Sequence, residues 1–309
     1  MKKVVAVFLL IVLILVLWGA YIAYAVMTIT PPVLTAKWGN VNEENVEVVV
    51  DAELGKVLFI PASVENLSIQ FNGVEVASLK EFDYSPTKTN ARIVMGIDPN
   101  ELVRALERYF DNNQHGEASI EIRLGLFGLF HPTLNFSQEL QQDILGQLDF
   151  KAESRPVFGG LLYTPPSVEG TKVVWLGGAE NGLWNLKTYA TLKNPNSFPI
   201  PVSNLEFEIF VNGIKVGGVG NVSQGGVTIP AGGVATVPID TKIYSEYLPK
   251  VLVTHIKNGE KSLVEVNFYI TVSAGGKSAR MKLTSEKTVI QTDIMATINE
   301  ALSNIPLRE

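Results

Sequence analysis

The chain has three histidines, His115, His131 and His255, far apart and without a partner at metal-ligand spacing. Cysteine is absent, which excludes disulfides, thiolate metal sites and a cysteine nucleophile. Glu43-Glu44 and the Asp83-Tyr84-Ser85 stretch offer polar groups, but neither pairs with a histidine, and both read as solvated surface. Gly217-Gly218-Val219-Gly220, with Gly225-Gly226 after it, has the composition of a phosphate cradle. It follows a hairpin strand, lacks Gly-Lys-Ser/Thr and opens no helix, so these glycines, like Gly232-Gly233, read as turn positions. No catalytic, metal-binding or cofactor-binding residue is assigned, no cofactor is implied, and the chain is not expected to be an enzyme.

The elements that could position other functions are better marked. With 309 residues, 46% of them apolar and 18% charged, the chain can build two domains, or one large one, with a real core. Its formal charge is −6, from 25 basic and 31 acidic side chains, which disfavours nucleic acid as a partner.

Lys2 and Lys3 precede a charge-free run over residues 4–27, and no further charge is met before Lys37. As a helix this run would be roughly 36 Å long at about 1.5 Å per residue, enough to cross a hydrocarbon core. Trp18, Tyr21 and Tyr24 fall near its outer end, where interfacial aromatics belong. The reading is a signal anchor with residues 1–3 cytoplasmic and the rest of the chain outside the cell membrane. A cleaved signal peptide, with Ala23-Tyr24-Ala25 as the small-x-small site, is the alternative and leaves the body extracytoplasmic as well.

The body reads as a duplication. Thr30-Pro31-Pro32 matches Thr164-Pro165-Pro166, Ile60-Pro61 matches Ile200-Pro201, and Asn72-Gly73-Val74-Glu75-Val76 falls on Asn212-Gly213-Ile214-Lys215-Val216 at an offset of 140. Further pairs are Ile97-Asp98 with Ile239-Asp240, Gly116-Glu117 with Gly259-Glu260, and Asp143-Ile144 with Asp293-Ile294. The offset grows along the chain, as loop insertions in the second copy would make it. Asn-Gly between alternating apolar residues marks a hairpin in each copy. Strands are also expected at residues 46–52, 119–126, 186–192, 234–239 and 263–272, enough for a sandwich of two packed sheets per copy.

One helix interrupts each copy. In the first, Asp98 is expected at the cap, Pro99 in the first turn and Glu101 closing a capping box, before a stripe of Leu102, Val103, Leu106, Tyr109 and Phe110. In the second, Asp240 is expected at the cap, with Ile243, Tyr247, Val251 and Leu252 as the stripe and Pro249 kinking or restarting the helix. Ile294, Ile298, Ala301 and Leu302 share one face of a C-terminal helix expected to dock on the second domain.

The stretch from Thr191 to Val216 contains Asn194-Pro195-Asn196, Pro201 and the Asn212-Gly213 hairpin, followed by Pro238-Ile239-Asp240. It resembles the water stress and hypersensitive response (WHy) domain of the type 2 late embryogenesis abundant family, over roughly residues 160–295. Pro195 ends a strand ladder for want of a donor, and the flanking asparagines can bond the backbone of a tight turn. The first copy has Leu54-Gly55-Lys56 at the motif.

The resemblance implies an all-β architecture of tandem immunoglobulin- or fibronectin-like sandwiches with one helix each, after one N-terminal transmembrane helix. It also implies a non-enzymatic role linked to stress and desiccation. The domain organisation is then residues 1–3 as the tip, 4–27 as the span, 28–152 as the first sandwich and 153–309 as the second with its C-terminal helix. The expected function is contact with proteins of the cell envelope, in stress protection or as a structural component. Binding of a lipid or other apolar ligand is the alternative, as is a surface-filament accessory subunit. Phe127, Leu129, Phe130, Phe158, Leu161, Leu162 and Tyr163 would serve an apolar ligand, though packing in the core or between domains is the expected role.

Overall fold

The computed structural model describes residues 33–55, 61–141, 143–147, 149–151, 153–154, 164–179, 182–202, 204–218, 226–274 and 276–303. Among them no helix is long and apolar enough to cross a membrane. The expected span, with Lys2, Lys3, Trp18, Tyr21 and Tyr24, lies outside the described residues, as do Phe158, Leu161, Leu162 and Tyr163.

Alternating, β-branched runs build an antiparallel sheet in each of two units. In the first unit, β1 (Val33–Val41) and β2 (Val46–Glu53) are followed by β3 (Ala62–Phe71), β4 (Val74–Tyr84) and β5 (Asn90–Ile97). Helix α1 (Pro99–Asp111) comes next, then β6 (His115–Leu126) and β7 (Thr133–Gln141). The strand order is β1-β2-β5-β4-β3-β6-β7. Strand β4 serves both halves, pairing with β3 through residues 74–78 and with β5 through residues 77–84.

The second unit contains β8 (Ser167–Ala179), β9 (Leu183–Lys193), β11 (Asn204–Val211), β12 (Ile214–Gly218) and β14 (Val234–Tyr244), then most of α2 (Leu248–Lys257), β15 (Lys261–Ala274) and β16 (Lys277–Gln291), with the last three residues of α2 and Gln291 grouped with the first unit. Its order, β8-β9-β14-β12-β11-β15-β16, is that of the first unit strand for strand. The register break in the β3–β4 pair, between Ile69 and Gln70, recurs between Ile209 and Phe210 in the β11–β12 pair. Among the described residues the second unit has in addition a ribbon of β10 (Ile200–Val202) with β13 (Val227–Ile229). One core takes Leu192, Val237 and Ile239 from one half of the sheet and Leu205, Phe207, Val266 and Phe268 from the other. The sandwich is therefore one sheet folded over, not two separate sheets.

The helices differ from each other more than their spacing suggests. Asp98 does cap α1, accepting from the N–H groups of Asn100 (2.8 Å) and Glu101 (3.3 Å), with Pro99 at the first position. The capping box does not close, because the Asp98 N–H donates to the Val76 carbonyl while Glu101 holds Arg104. The buried residues of α1 are Pro99, Ala105, Tyr109 and Phe110.

Asp240 caps nothing. Strand β14 continues past it to Tyr244, paired with β9 throughout, and buries Val237, Ile239 and Thr241 alternately. Asp240 faces outward and pairs with Lys187 at 2.6 Å. With Asp240 as the cap the helix would begin at residue 241; α2 starts seven residues later, with Pro249 in its first turn, and its buried residues are Pro249, Val253, His255 and Ile256. Gly217 and Gly218 are strand residues, not turn residues: a Cβ on Gly217 would meet the Lys242 carbonyl at 2.9 Å, where β12 leaves β11 for β14.

The unit boundary falls at Asp143, not at residue 153. The segment after β7, with a short 3-10 turn at Leu145–Gln147, belongs to the second unit: Asp149 and the Phe150 N–H bond Thr171 of β8. Helix α3 (Ile294–Ser303) belongs to the first unit, not the second, together with His255–Glu260. It packs on β1, and Asn299 bonds both the N–H (2.7 Å) and the carbonyl (2.9 Å) of Ala36.

Candidate functional site

At the end of β9 the ladder stops at Pro195, and the asparagines on either side turn inward. Asn194 is 0% exposed. Its Nδ2 donates toward the carbonyls of Phe198 (2.7 Å), Pro230 (3.0 Å) and Ile229 (3.3 Å). Its Oδ1 accepts from the N–H and the Nδ2 of Asn196, both at 2.9 Å. Asn196 in turn pairs with the peptide of Thr164, giving Nδ2 to its carbonyl (2.7 Å) and taking its N–H (3.0 Å), as a neighbouring strand would. The Gly232 N–H closes the knot on the Asn196 carbonyl, and Pro201 sits in the β10 ribbon opposite Thr228. Two side-chain amides thereby hold together the approach to β8, the turn after β9 and the turn before β14.

The first unit makes the equivalent turn differently. Leu54 is buried where Asn194 would be, Gly55 takes a φ of 69°, and the Leu54 N–H bonds the Thr89 carbonyl just before β5. The Asn194 N–H bonds the Gly233 carbonyl just before β14 in the same way. An apolar plug replaces an amide hub.

Asn212-Gly213 and Asn72-Gly73 are a matched pair. Both asparagines sit in the left-handed region, φ 52° and 51°, as the tight hairpin requires. The Asn212 N–H and Oδ1 both engage the backbone of Leu263, and its Nδ2 reaches Thr254 of α2 and Ser262. Asn72 engages the backbone of Glu117 in the same way and donates to the Ala105 carbonyl of α1. Each hairpin is thus tied to its helix and its next strand. This geometry sets Glu117 against Leu263, three residues away from the Gly116-Glu117 with Gly259-Glu260 match expected from the repeat.

In the sequence Glu260 is only a repeat position; in the structure it is the hub at the start of α3. It is 7% exposed at a φ of 60°, and its carboxylate accepts from Trp38 Nε1 (3.0 Å), Thr292 Oγ1 (3.2 Å) and the N–H groups of Ile294 and Met295. The two N–H groups are orphan donors at the start of α3, where a carboxylate is favoured. His255, 8% exposed, has Nε2 2.8 Å from Thr292 Oγ1; burial lowers its pKa, against the pull of Glu260.

In each of these clusters the polar side chains are engaged with backbone groups and neighbouring side chains. A cleft of about 630 Å³ in the first unit is lined by Asn72, Arg108, His115, Glu117 and Glu139 among others. Arg108 there already donates to the Asn72 carbonyl, and His115 faces Gln141. Among the described residues no group of three His, Asp or Glu side chains could hold a metal ion.

Residues 189–287 match the family model for Late embryogenesis abundant protein. Among solved structures, the chain is similar to the crystal structure of a protein from Archaeoglobus fulgidus, at 25% identity over 41% of this chain and 98% of that one, with a TM-score of 0.33. It is also similar to the solution structure of an Arabidopsis thaliana protein, at 15% identity over 45% and 91% of the two chains, with a TM-score of 0.29. No curated protein matches.

Proposed function

Because residues 189–287 form a domain of the type 2 late embryogenesis abundant family, a stress-related family, we propose that the chain carries this domain twice and acts without catalysis, by protein contact, at a cell membrane. The observation that carries this reading is the family match itself, on a domain whose motif amides are all consumed in holding turns together. The identical strand order of the first unit supports a second copy in which Leu54 has replaced the amide hub. Lys2 and Lys3 followed by the charge-free residues 4–27 support an anchor with both units on the outer side, where they would shield envelope proteins or brace an envelope assembly.

The test is protection of a labile enzyme through drying or heating, by vesicles carrying the full-length protein against vesicles carrying an unrelated anchored β-protein. Retained activity above the control is the expected result; equal losses in both would sink a protective role. Quantitative capture from the native membrane then separates the two forms of the reading, since a stoichiometric envelope partner points to a structural part.

A further inference from the structure

The connection between β6 and β7, residues 127–132, opens with Phe127-Gly128-Leu129-Phe130, four residues without a polar side chain, ahead of His131-Pro132. Phe127 is 50% exposed, Leu129 77% and Phe130 63%. They do not pack in a core, as their composition suggested. The tip is built: the Leu126 N–H bonds the Phe130 carbonyl, the Phe127 N–H bonds the Pro61 carbonyl, and Phe127 itself holds a φ of 55°. A bulky residue pays a steric cost at such an angle, where a solvent-facing hairpin would place Asn or Gly.

The strand register says what this tip faces. Val33 pairs with Glu53 and Glu53 with Asn90; Ala91 pairs with Tyr84; Ala62 pairs with Leu126 and Arg123 with Thr133. The start of β1 and the β6–β7 tip therefore belong to the same end of the first unit's sheet, while Asn72-Gly73 and α1 belong to the other. The charge-free run ends at residue 27, and only five residues separate it from Val33. The six steps from residue 27 to Val33 span at most roughly 22 Å. An anchor in the bilayer holds this end of the sheet within that distance of the lipid.

We infer that the β6–β7 tip is a second, monotopic membrane contact, with Phe127, Leu129 and Phe130 seated in the interfacial layer of the bilayer that holds the anchor. This rests on the anchor proposed above. The contact is apolar. The tip itself carries no charge, and beside it Glu65 is engaged by Arg123 (3.1 Å) and by His131 Nδ1 (2.7 Å), so neither anionic lipid nor low salt is needed.

The absence of cysteine allows single-site labelling without background. Full-length Leu129→Cys, and separately Phe130→Cys, would carry an environment-sensitive fluorophore in neutral phosphatidylcholine vesicles doped with brominated lipid. Glu43→Cys, in the β1–β2 turn at the opposite end, is the reference. The expected result is co-flotation of all three, with quenching of about two-fold or more at residues 129 and 130, none at 43, and no change at high salt. Co-flotation without quenching at 129 or 130 overturns the tip contact and leaves the anchor standing. Failure to float overturns the anchor and the tip contact together. A spectral shift that appears without lipid and grows with protein concentration assigns the tip to a second copy, and overturns the inference.

Discussion

Replacing Asn194 by alanine removes a buried amide that makes five contacts, three through Nδ2 and two through Oδ1. Two N–H protons serve three carbonyls, so four independent bonds is the fair count. At a net worth of about 0.5–1.5 kcal/mol each, with bare carbonyls left in a dry turn, the loss is about 3–5 kcal/mol. That is a large share of the roughly 5–15 kcal/mol that holds a domain folded. At about 2–4 °C per kcal/mol for units of this size, the transition of the second unit should fall by roughly 10 °C. Thermal unfolding of the full chain followed by circular dichroism reads this directly. Pro195→Ala, at an exposed position in the same turn, is the control and should stay within about 0.5 kcal/mol. Asn194→Leu copies the first unit's solution but should not rescue, because the carbonyls of Phe198, Ile229 and Pro230 would still lack donors. A loss under about 1 kcal/mol for Asn194→Ala, or full stability for Asn194→Leu, would refute the view that the amide hub holds these turns.

Three other perturbations separate the remaining assignments. Glu260→Ala removes four donors' partner at the start of α3 and should cost the first unit about 2–4 kcal/mol by urea titration, whereas Trp38→Phe removes one of the four bonds and should cost about 1 kcal/mol. The lowered pKa of His255 means the unfolded chain takes its proton first, so its contribution is intact above the ordinary value of 6.5 and is lost as pH falls from there through the folded value. Unfolding midpoints measured from pH 7.5 to 5 should show this decline, and His255→Gln should flatten it. Asp98→Ala should cost about 1 kcal/mol as a true helix cap, while Asp240→Ala should cost under about 1 kcal/mol as an exposed ion-pair partner; equal losses would undo that distinction.

Much of the fold is local enough to be read from residue order. Asn-Gly between alternating apolar runs dictates both hairpins, because only residues tolerant of positive φ fit a two-residue turn. Asp98-Pro99 dictates a helix start, because a cap and a fixed φ act within three residues. The late embryogenesis abundant match over residues 189–287 was legible in Asn194-Pro195-Asn196 for the same reason: turn chemistry travels with short motifs. Asp240 failed as a cap because the same Pro-apolar-Asp string can sit inside a strand, and only its pairing with Lys187 across β9 decides which.

Other features depend on which strands meet. The Gly217 approach to Lys242, the exposure of Phe127, Leu129 and Phe130, and the grouping of α3 with β1 all join residues remote along the chain or leave them bare by geometry. Glu260 shows the limit most clearly. Its partners are Trp38, 222 positions earlier, and the start of a helix 34 positions later. No periodicity or propensity announces such a meeting, since those report on the next turn of chain. Only the tertiary fold brings one carboxylate to four donors.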